Sequence, residues 1–284
     1  MEILNEKSDF PKQVALVLGF FDGIHVGHRN VINNTPNCEK VIVTFSSSPA
    51  EFFDQNTKYI YPRCYNYKLM ESLGVNYVYE QDFSQIVNIS AERYLQDLIE
   101  KFNPVSISTG FNHTFGYNRE GNSSFLKKHA KVYKYYETKP VKINNEIVSS
   151  TLIKKYLNIG DLHSANKLLT KNFSLQSKVI EGIKLGRKLG FPTANLKYPE
   201  KIIKIPYGVY KIKIFDKPAI MNWGIKPTIG AEELIEIHIP NFNKNLYNEF
   251  LEFEVITKIR DEKKFESLDE LKNQISKDVL ECLR

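Results

Sequence analysis

Apolar and polar positions change rhythm midway along this chain. In the first half, short runs carrying β-branched or aromatic residues recur at Val14–Leu18, Lys40–Phe45, Tyr77–Glu80 and Val105–Thr109. Such runs, bounded by polar and turn residues, predict buried strands. Helix-length segments lie between them, among them Tyr65–Leu73 and Ala91–Phe102. Strands alternating with helices predict βαβ units and a parallel sheet, whose ligands bind at the carboxyl ends of the strands. Two short helices close this half. One is Ser150–Leu157; the other follows Asp161, with Leu162, Ala165, Leu168 and Leu169 in helical period and Asp161 placed to cap it.

From about Phe173 the period shortens. Ser174–Ile180, Val209–Phe215, Leu234–Ile239 and Leu251–Ile259 alternate or carry β-branched content, and Gly, Pro and Asn turns join them. Only Asp269–Leu283 reads as a helix here, with Ser267 or Asp269 as its cap. This half predicts a small β-barrel or sandwich followed by a C-terminal helix. The fold class is therefore α/β plus β, with domains at residues 1–170 and 171–284. The length of 284 residues agrees with two domains.

Composition narrows the function. Hydrophobic residues make up 42% and charged residues 25%, an ordinary globular mixture. The net charge of +6 is spread along the chain without a basic run. That pattern argues against a nucleic-acid partner and suits anionic small molecules. Cys38, Cys64 and Cys282 are odd in number and form no C-x-x-C pair, which argues against a disulfide framework and a structural zinc site. The longest apolar run, Val14–Phe21, is far short of the ~20 residues of a membrane span. We expect a cytoplasmic protein with no membrane partner, a monomer or weak oligomer.

The first stretch that carries chemistry is Gly19–Arg29, G-F-F-D-G-I-H-V-G-H-R, directly after the first strand. It matches neither G-x-G-x-x-G nor a P-loop. His25 and His28, three residues apart on a helix's first turn, bring both rings to one side. Together with the helix N-terminus they suit ATP phosphates; two His also suit a zinc ion, although no third ligand is positioned in sequence. Either His alone is equally well a surface residue of a turn. Ser149, Ser150 and Thr151 place three hydroxyls at a helix start, which suits phosphate and also ordinary capping. Asn112 follows the fourth strand, where it serves either a turn or a ribose contact.

The second stretch is Gly182–Asn195, G-I-K-L-G-R-K-L-G-F-P-T-A-N. Its glycines, Gly182 and Gly186 among them, let a loop fold over phosphates, and Arg187 adds charge. Thr193 and Asn195 present hard oxygens beside Pro192, the donor type that Mg²⁺ prefers.

These segments resemble prokaryotic bifunctional riboflavin kinase/FAD synthetase. H-x-G-H after the first strand is similar to the nucleotidyltransferase superfamily, and the longer string resembles the family's N-terminal module. Thr44-Phe45 with Pro49, Gly110–Gly116 and Val148–Lys154 resemble its further motifs, while Ser47, Ser48, His113 and Lys154 depart from them. G-R-K-L-G-F-P-T-A-N resembles the riboflavin kinase signature. Pro206–Tyr210, Asn222–Thr228, Glu236–His238 and Ile259–Phe265 extend the likeness, and Asn245–Asn248 departs from it locally.

The resemblance implies a Rossmann-like nucleotidyltransferase sheet and a kinase barrel. It implies nucleotide contacts from Gly19, Phe20, Asp22, Gly23, Gly27, Asn112, Ser149, Ser150, Thr151, Gly182, Gly186 and Arg187. Glu236 takes the position of the base for riboflavin phosphorylation. Thr193 and Asn195 take that of the Mg²⁺ ligands, and Arg260 that of a flavin contact. His25 and His28 serve the adenylyl step. Read without the family, Glu236 is a strand carboxylate and Arg260 a surface partner of Asp261 or Glu262. The implied substrates are riboflavin, FMN and ATP, with FAD as final product. Three alternatives stay open: a kinase-only chain with a degenerate first module, a non-enzymatic flavin binder, and a nucleotidyltransferase with another acceptor.

Overall fold

The computed structural model describes residues 1–182, 185–226, 232–242 and 244–283. The chain forms two compact units, Met1–Leu152 and Ile153–Arg284.

The first unit is built on strands β1 (Glu2–Leu4), β2 (Ala15–Leu18), β3 (Lys40–Phe45), β4 (Tyr77–Gln81), β5 (Ser106–Gly110) and β6 (Lys134–Thr138). They pair in the order β1-β4-β3-β2-β5-β6. All five ladders are parallel. Helices α1 (Val26–Asn33), α2 (Pro49–Phe53), α3 (Arg63–Ser72), α4 (Phe83–Ile86), α5 (Ala91–Phe102) and α6 (Ser123–Lys128) connect them, and α7 (Ser150–Ile159) follows. A short hairpin, β7 (Lys142–Ile143) with β8 (Glu146–Ile147), precedes α7. Every residue of β2 is buried, as expected for a central parallel strand covered on both faces. On one face Leu16, Leu18, Val41, Val43 and Ile107 pack with Tyr94, Leu95, Leu98 and Phe102 of the amphipathic α5. The sheet order reverses between β2 and β5, so the turns after those two strands open a crevice between them, the switch point where such sheets bind ligands.

In the second unit, helix α8 (Leu162–Leu168) is capped by Asp161, whose carboxylate accepts from the Ser164 N–H. Asn166 on this helix bonds the Phe173 N–H and the Val255 carbonyl, tying α8 to the barrel strands. For that reason α8 falls in the second compact unit, although its sequence rhythm continues that of the first half. Strands β9 (Ser174–Ile180), β10 (Ala194–Lys197), β11 (Gly208–Ile214), β12 (Lys217–Lys226), β13 (Glu232–His238) and β14 (Phe250–Arg260) close into an antiparallel barrel in the order β10-β13-β12-β11-β14-β9. Helix α9 (Leu185–Lys188) lies between β9 and β10, and α10 (Leu268–Leu283) follows β14. Cross-strand partners share a face. Leu196, Ile235 and Trp223 form one buried layer of the barrel interior, and Ile237, Met221 and Tyr210 another. Val209, Ile220 and Cys282 bury α10 against the outside of the barrel. Ser267 caps α10, its hydroxyl accepting from the Glu270 N–H.

Candidate active sites

The first site grows from the end of β2. The turn from Gly19 to His25 is strained. Phe21 (φ 61°), Gly23 (φ 86°) and Ile24 (φ 37°) all lie in the left-handed region, where Phe and β-branched Ile are disfavoured. A methyl group on Gly23 would stand 2.6 Å from the Ile60 Cδ1, so both its φ and its surroundings demand glycine. His25 ends the turn as N-cap of α1, its Nδ1 accepting the His28 N–H at 3.1 Å. A backbone N–H only donates, so this bond leaves the neutral His25 proton on Nε2. The His25 and His28 rings stack, with centroids 3.5 Å apart, and Phe21 meets His28 edge-on at 5.1 Å. Burial pulls His25 down to about 4, and burial with the neighbouring His25 holds His28 well below the usual imidazole range. Both rings are therefore neutral near pH 7 in the ligand-free protein. The His28 Nδ1 is buried without a hydrogen-bond partner among the described residues.

The hydroxyl motif arrives beside this turn. Ser150 Oγ donates to the Asp22 carbonyl at 2.8 Å across 128 residues of sequence. Ser149 Oγ accepts the Leu152 N–H at 3.2 Å, so it caps α7, while Thr151 is exposed. Phe20 is fixed by its carbonyl, which accepts from Thr44 Oγ1 at 3.4 Å. Asp22 is buried, and its Oδ1 accepts the Ile60 N–H at 2.9 Å. The carboxylate thus faces a protein amide as well as any ligand. Gly19 and Gly27 lie under the rings of Phe21 and His25, where side chains would crowd them. Asn112 is exposed on the turn after β5, across the switch point from Gly19–His25; no contact joins it to the histidines among the described residues. Of the departures from the family pattern, Ser48 caps α2 through the Glu51 N–H, and His113 stacks on Phe115 at 5.8 Å.

The second site is set by barrel register. Asn195 on β10 lies opposite Glu236 on β13, which lies opposite Asn222 on β12. Asn222 pairs with Val209 on β11, and Val209 with Arg260 on β14. Asn195, Glu236 and Arg260, far apart in sequence, therefore stand in one cross-strand row on the outer barrel face. The Asn222 Nδ2 approaches Glu236 Oε2 at 3.4 Å. Gly182 admits the Asn195 side chain, whose amide fills the space that a Cβ there would take. Gly186 likewise packs on the Phe191 carbonyl, and Thr193 Oγ1 lies 3.3 Å from the same Cβ position. Next to this row is an open pocket lined by Arg187, Thr193, Ile237, Phe242, Lys244 and Tyr247 among others. Its cations and aromatic rings suit a nucleotide. The sequence-identified residues thus divide, with Arg187 and Thr193 at the pocket and Asn195, Glu236 and Arg260 in the row.

Arg260 has a partner that sequence neighbours did not suggest. Its Nε and a terminal nitrogen bond the Asp278 carboxylate of α10 at 2.8 to 3.1 Å, and only the Asp261 carbonyl, not its side chain, joins in. Glu262 packs instead on Gly224. Among the described residues no cluster of three His, Cys, Asp or Glu could hold a metal. The oxygens of Thr193 and Asn195 remain the donors whose chemistry fits Mg²⁺. Ile183, Lys184, Pro227 and Thr228 of the quoted segments lie outside the described residues. Asn66 and Ile60 were not singled out from sequence, and no spacing could have marked them; Asn222 entered only as the first residue of a family segment, without a role.

A switch-point turn bearing paired imidazoles, followed by a barrel with its own phosphate-type loop and strand carboxylate, defines a two-module nucleotide-dependent transferase. Comparison with known proteins gives the family. Residues 7–152 match the family model FAD synthetase, and residues 169–284 match Flavokinase: Riboflavin kinase. A Buchnera aphidicola (Schizaphis graminum) protein named bifunctional riboflavin kinase/FMN adenylyltransferase is 37% identical, over 93% of this chain and 91% of its own. One of the same name from Haemophilus influenzae is 33% identical, over 93% and 92%. A solved Streptococcus pneumoniae structure, named macrolide-efflux protein, superposes with a TM-score of 0.88 at 27% identity, covering 99% of this chain and 98% of that one. The word efflux belongs to that Streptococcus protein alone; among the described residues here, no helix is long and apolar enough to cross a membrane. The chain belongs to the bifunctional riboflavin kinase/FMN adenylyltransferase family.

Proposed function

We propose that the chain phosphorylates riboflavin to FMN in its C-terminal module, residues 171–284, and adenylylates FMN to FAD in its N-terminal module, residues 1–170. The observation that carries this reading is that each module gathers its own cluster of polar side chains suited to phosphate chemistry. One is the stacked His25–His28 pair with Ser149 and Ser150; the other is the Asn195–Glu236–Asn222 row beside its pocket. In the kinase step the ribityl hydroxyl oxygen attacks the γ-phosphorus of ATP, the bond to the β–γ bridging oxygen breaks, and ADP leaves. Glu236 orients the hydroxyl and takes its proton, and Asn222 steadies the carboxylate. Thr193 and Asn195 would hold Mg²⁺, which would offset the charge of the ATP phosphates. Arg187 and Lys244 add positive charge at the pocket.

In the adenylyl step a phosphate oxygen of FMN attacks the α-phosphorus of a second ATP, and pyrophosphate leaves. The nucleophile is already an anion, so no protein base is required. His25 presents Nε2–H to the phosphates, and His28 lies beside it. Each meets a polyphosphate as a neutral hydrogen-bonding ring, and a bound anion raises its proton affinity. Ser149, Ser150 and Thr151 line the start of α7 nearby, and Asn112 faces the same crevice from the turn after β5. Arg260, held by Asp278, bears on the flavin through the row it terminates. The partners are small molecules, and we expect a cytoplasmic monomer or weak oligomer.

The test is chromatographic product analysis of riboflavin, ATP and Mg²⁺ incubations. Wild type should yield FMN and FAD, Glu236→Ala should make no FMN, and His28→Ala should stop at FMN. If wild type stops at FMN, the first module has lost its activity. If no phosphate moves, the chain only binds flavin.

A further inference from the structure

The strained turn in the first site needs external restraint. Positive φ at Phe21 and at Ile24 persists only where surrounding contacts over-determine the backbone. Two restraints come from motif residues, Thr44 on the Phe20 carbonyl and Ser150 on the Asp22 carbonyl. The others come from a segment that belongs to no motif, Tyr59–Asn66. The Tyr59 ring packs 5.7 Å from that of Phe20. The Ile60 N–H donates to Asp22, and the Ile60 side chain fills the space over Gly23. Asn66, buried in the first half of α3, accepts the Gly23 N–H on its Oδ1 at 3.2 Å. That amide belongs to the peptide bond between Asp22 and Gly23, two residues before His25.

We infer that Asn66 is a positioning residue for the adenylyl transfer, its amide oxygen fixing the Asp22–Gly23 peptide and through it the His25–His28 pair. A buried N–H must find an acceptor. Without the Asn66 oxygen, the easiest escape for the Gly23 N–H is rotation of its peptide. That rotation changes ψ at Asp22 and φ at Gly23, disturbs the Asp22 carbonyl that Ser150 holds, and moves the N-cap imidazole of α1 two residues on. Misplacing groups that meet a transition state by as little as about 1 Å can cost roughly a hundredfold in rate. Asn66 touches no substrate; it acts through the turn. The inference rests on the assignment of Gly19–His28 to the adenylyl site.

The experiment uses the full chain with FMN, ATP and Mg²⁺, follows FAD and pyrophosphate, and takes riboflavin phosphorylation by the same preparation as internal reference. Asn66→Leu, similar in shape but without the acceptor, should lower kcat for FAD formation by about 10-fold or more, with kinase kcat and FMN KM within about twofold. Asn66→Asp keeps an oxygen in the same place and should retain FAD formation within about threefold of wild type. Asn66→Ala decides the matter if Asn66→Leu melts early. The inference is overturned if Asn66→Leu and Asn66→Ala keep kcat within about twofold, or if Asn66→Asp falls as far as they do. His28→Ala separates the two claims. FAD formation surviving in His28→Ala sinks the site assignment, whereas its loss there with an unaffected Asn66→Leu sinks only the positioning role.

Discussion

Replacing His113 by Phe should stabilise the first unit, and by more in acid than near neutrality. His113 Nε2 is buried without a hydrogen-bond partner among the described residues, and burial lowers the ring to about 4. In the unfolded chain the same ring titrates near ~6.5. Below ~6.5 the unfolded state takes up a proton that the folded state refuses, so stability is full above that value and is lost as pH falls towards about 4. With these two values, linkage gives a loss of about 2 kcal/mol between pH ~7.5 and ~5 from this one residue. Phe carries no proton and no orphaned nitrogen, and it can keep the stack on Phe115. The gain from His113→Phe should therefore be about 2 kcal/mol larger at pH ~5 than at pH ~7.5. His25 and His28 titrate in the same direction in both proteins and cancel in the difference. Urea unfolding at the two pH values measures it. The sole tryptophan, Trp223, is fully buried in the barrel, so its fluorescence follows the second unit while far-ultraviolet dichroism follows both. An equal gain at both pH values, or a gain confined to the Trp223 signal, would refute the reasoning.

Arg260→Ala should destabilise the barrel transition, read by Trp223 fluorescence, by about 3 kcal/mol, because it leaves the buried Asp278 carboxylate uncompensated. Asp278→Asn should cost less, since Gln274 and Arg260 still find an oxygen there. Gly186→Ala drives a Cβ into the Phe191 carbonyl, so riboflavin phosphorylation should fall by about 10-fold or more while supplied FMN still becomes FAD. Conversion of both substrates by one preparation, followed by chromatography, checks that prediction.

Where burial follows one simple period, the sequence was readable. Strand β3 and helix α5 were bounded to the residue, the one by a continuous apolar run, the other by its apolar stripe; the Ser90 cap of α5 came only with the structure. Strands β1 and β6 escaped notice because both lie at sheet edges, where K-Y-Y-E-T and a three-residue N-terminal run need little apolar content. Strand β10 hides inside P-T-A-N, and β12 carries Pro218 and Gly224 within its length. The chemistry divides the same way. The His25–His28 stack follows from helix spacing and was legible, and so was the hydroxyl-rich start of α7. The alignment of Asn195, Glu236 and Arg260 depends on the pairing register of five strands, which no local pattern records. Asp278 and Asn66 act across folds of the chain, with no motif around either to announce them.

The supports of the strained turn are widely scattered, at residues 44, 60, 66 and 150, while the turn itself lies near residue 20. Contacts of long sequence separation form late, because the chain entropy of closing such loops is spent before they return anything. A nascent chain therefore displays the G-F-F-D-G-I-H-V-G-H string long before the turn that carries it is braced. Its full set of restraints exists only once the sheet has closed and Ser150 has docked. Ligand then draws the population towards finished molecules by mass action. Any ligand of that turn therefore acts as a folding aid for this unit as well as a reactant.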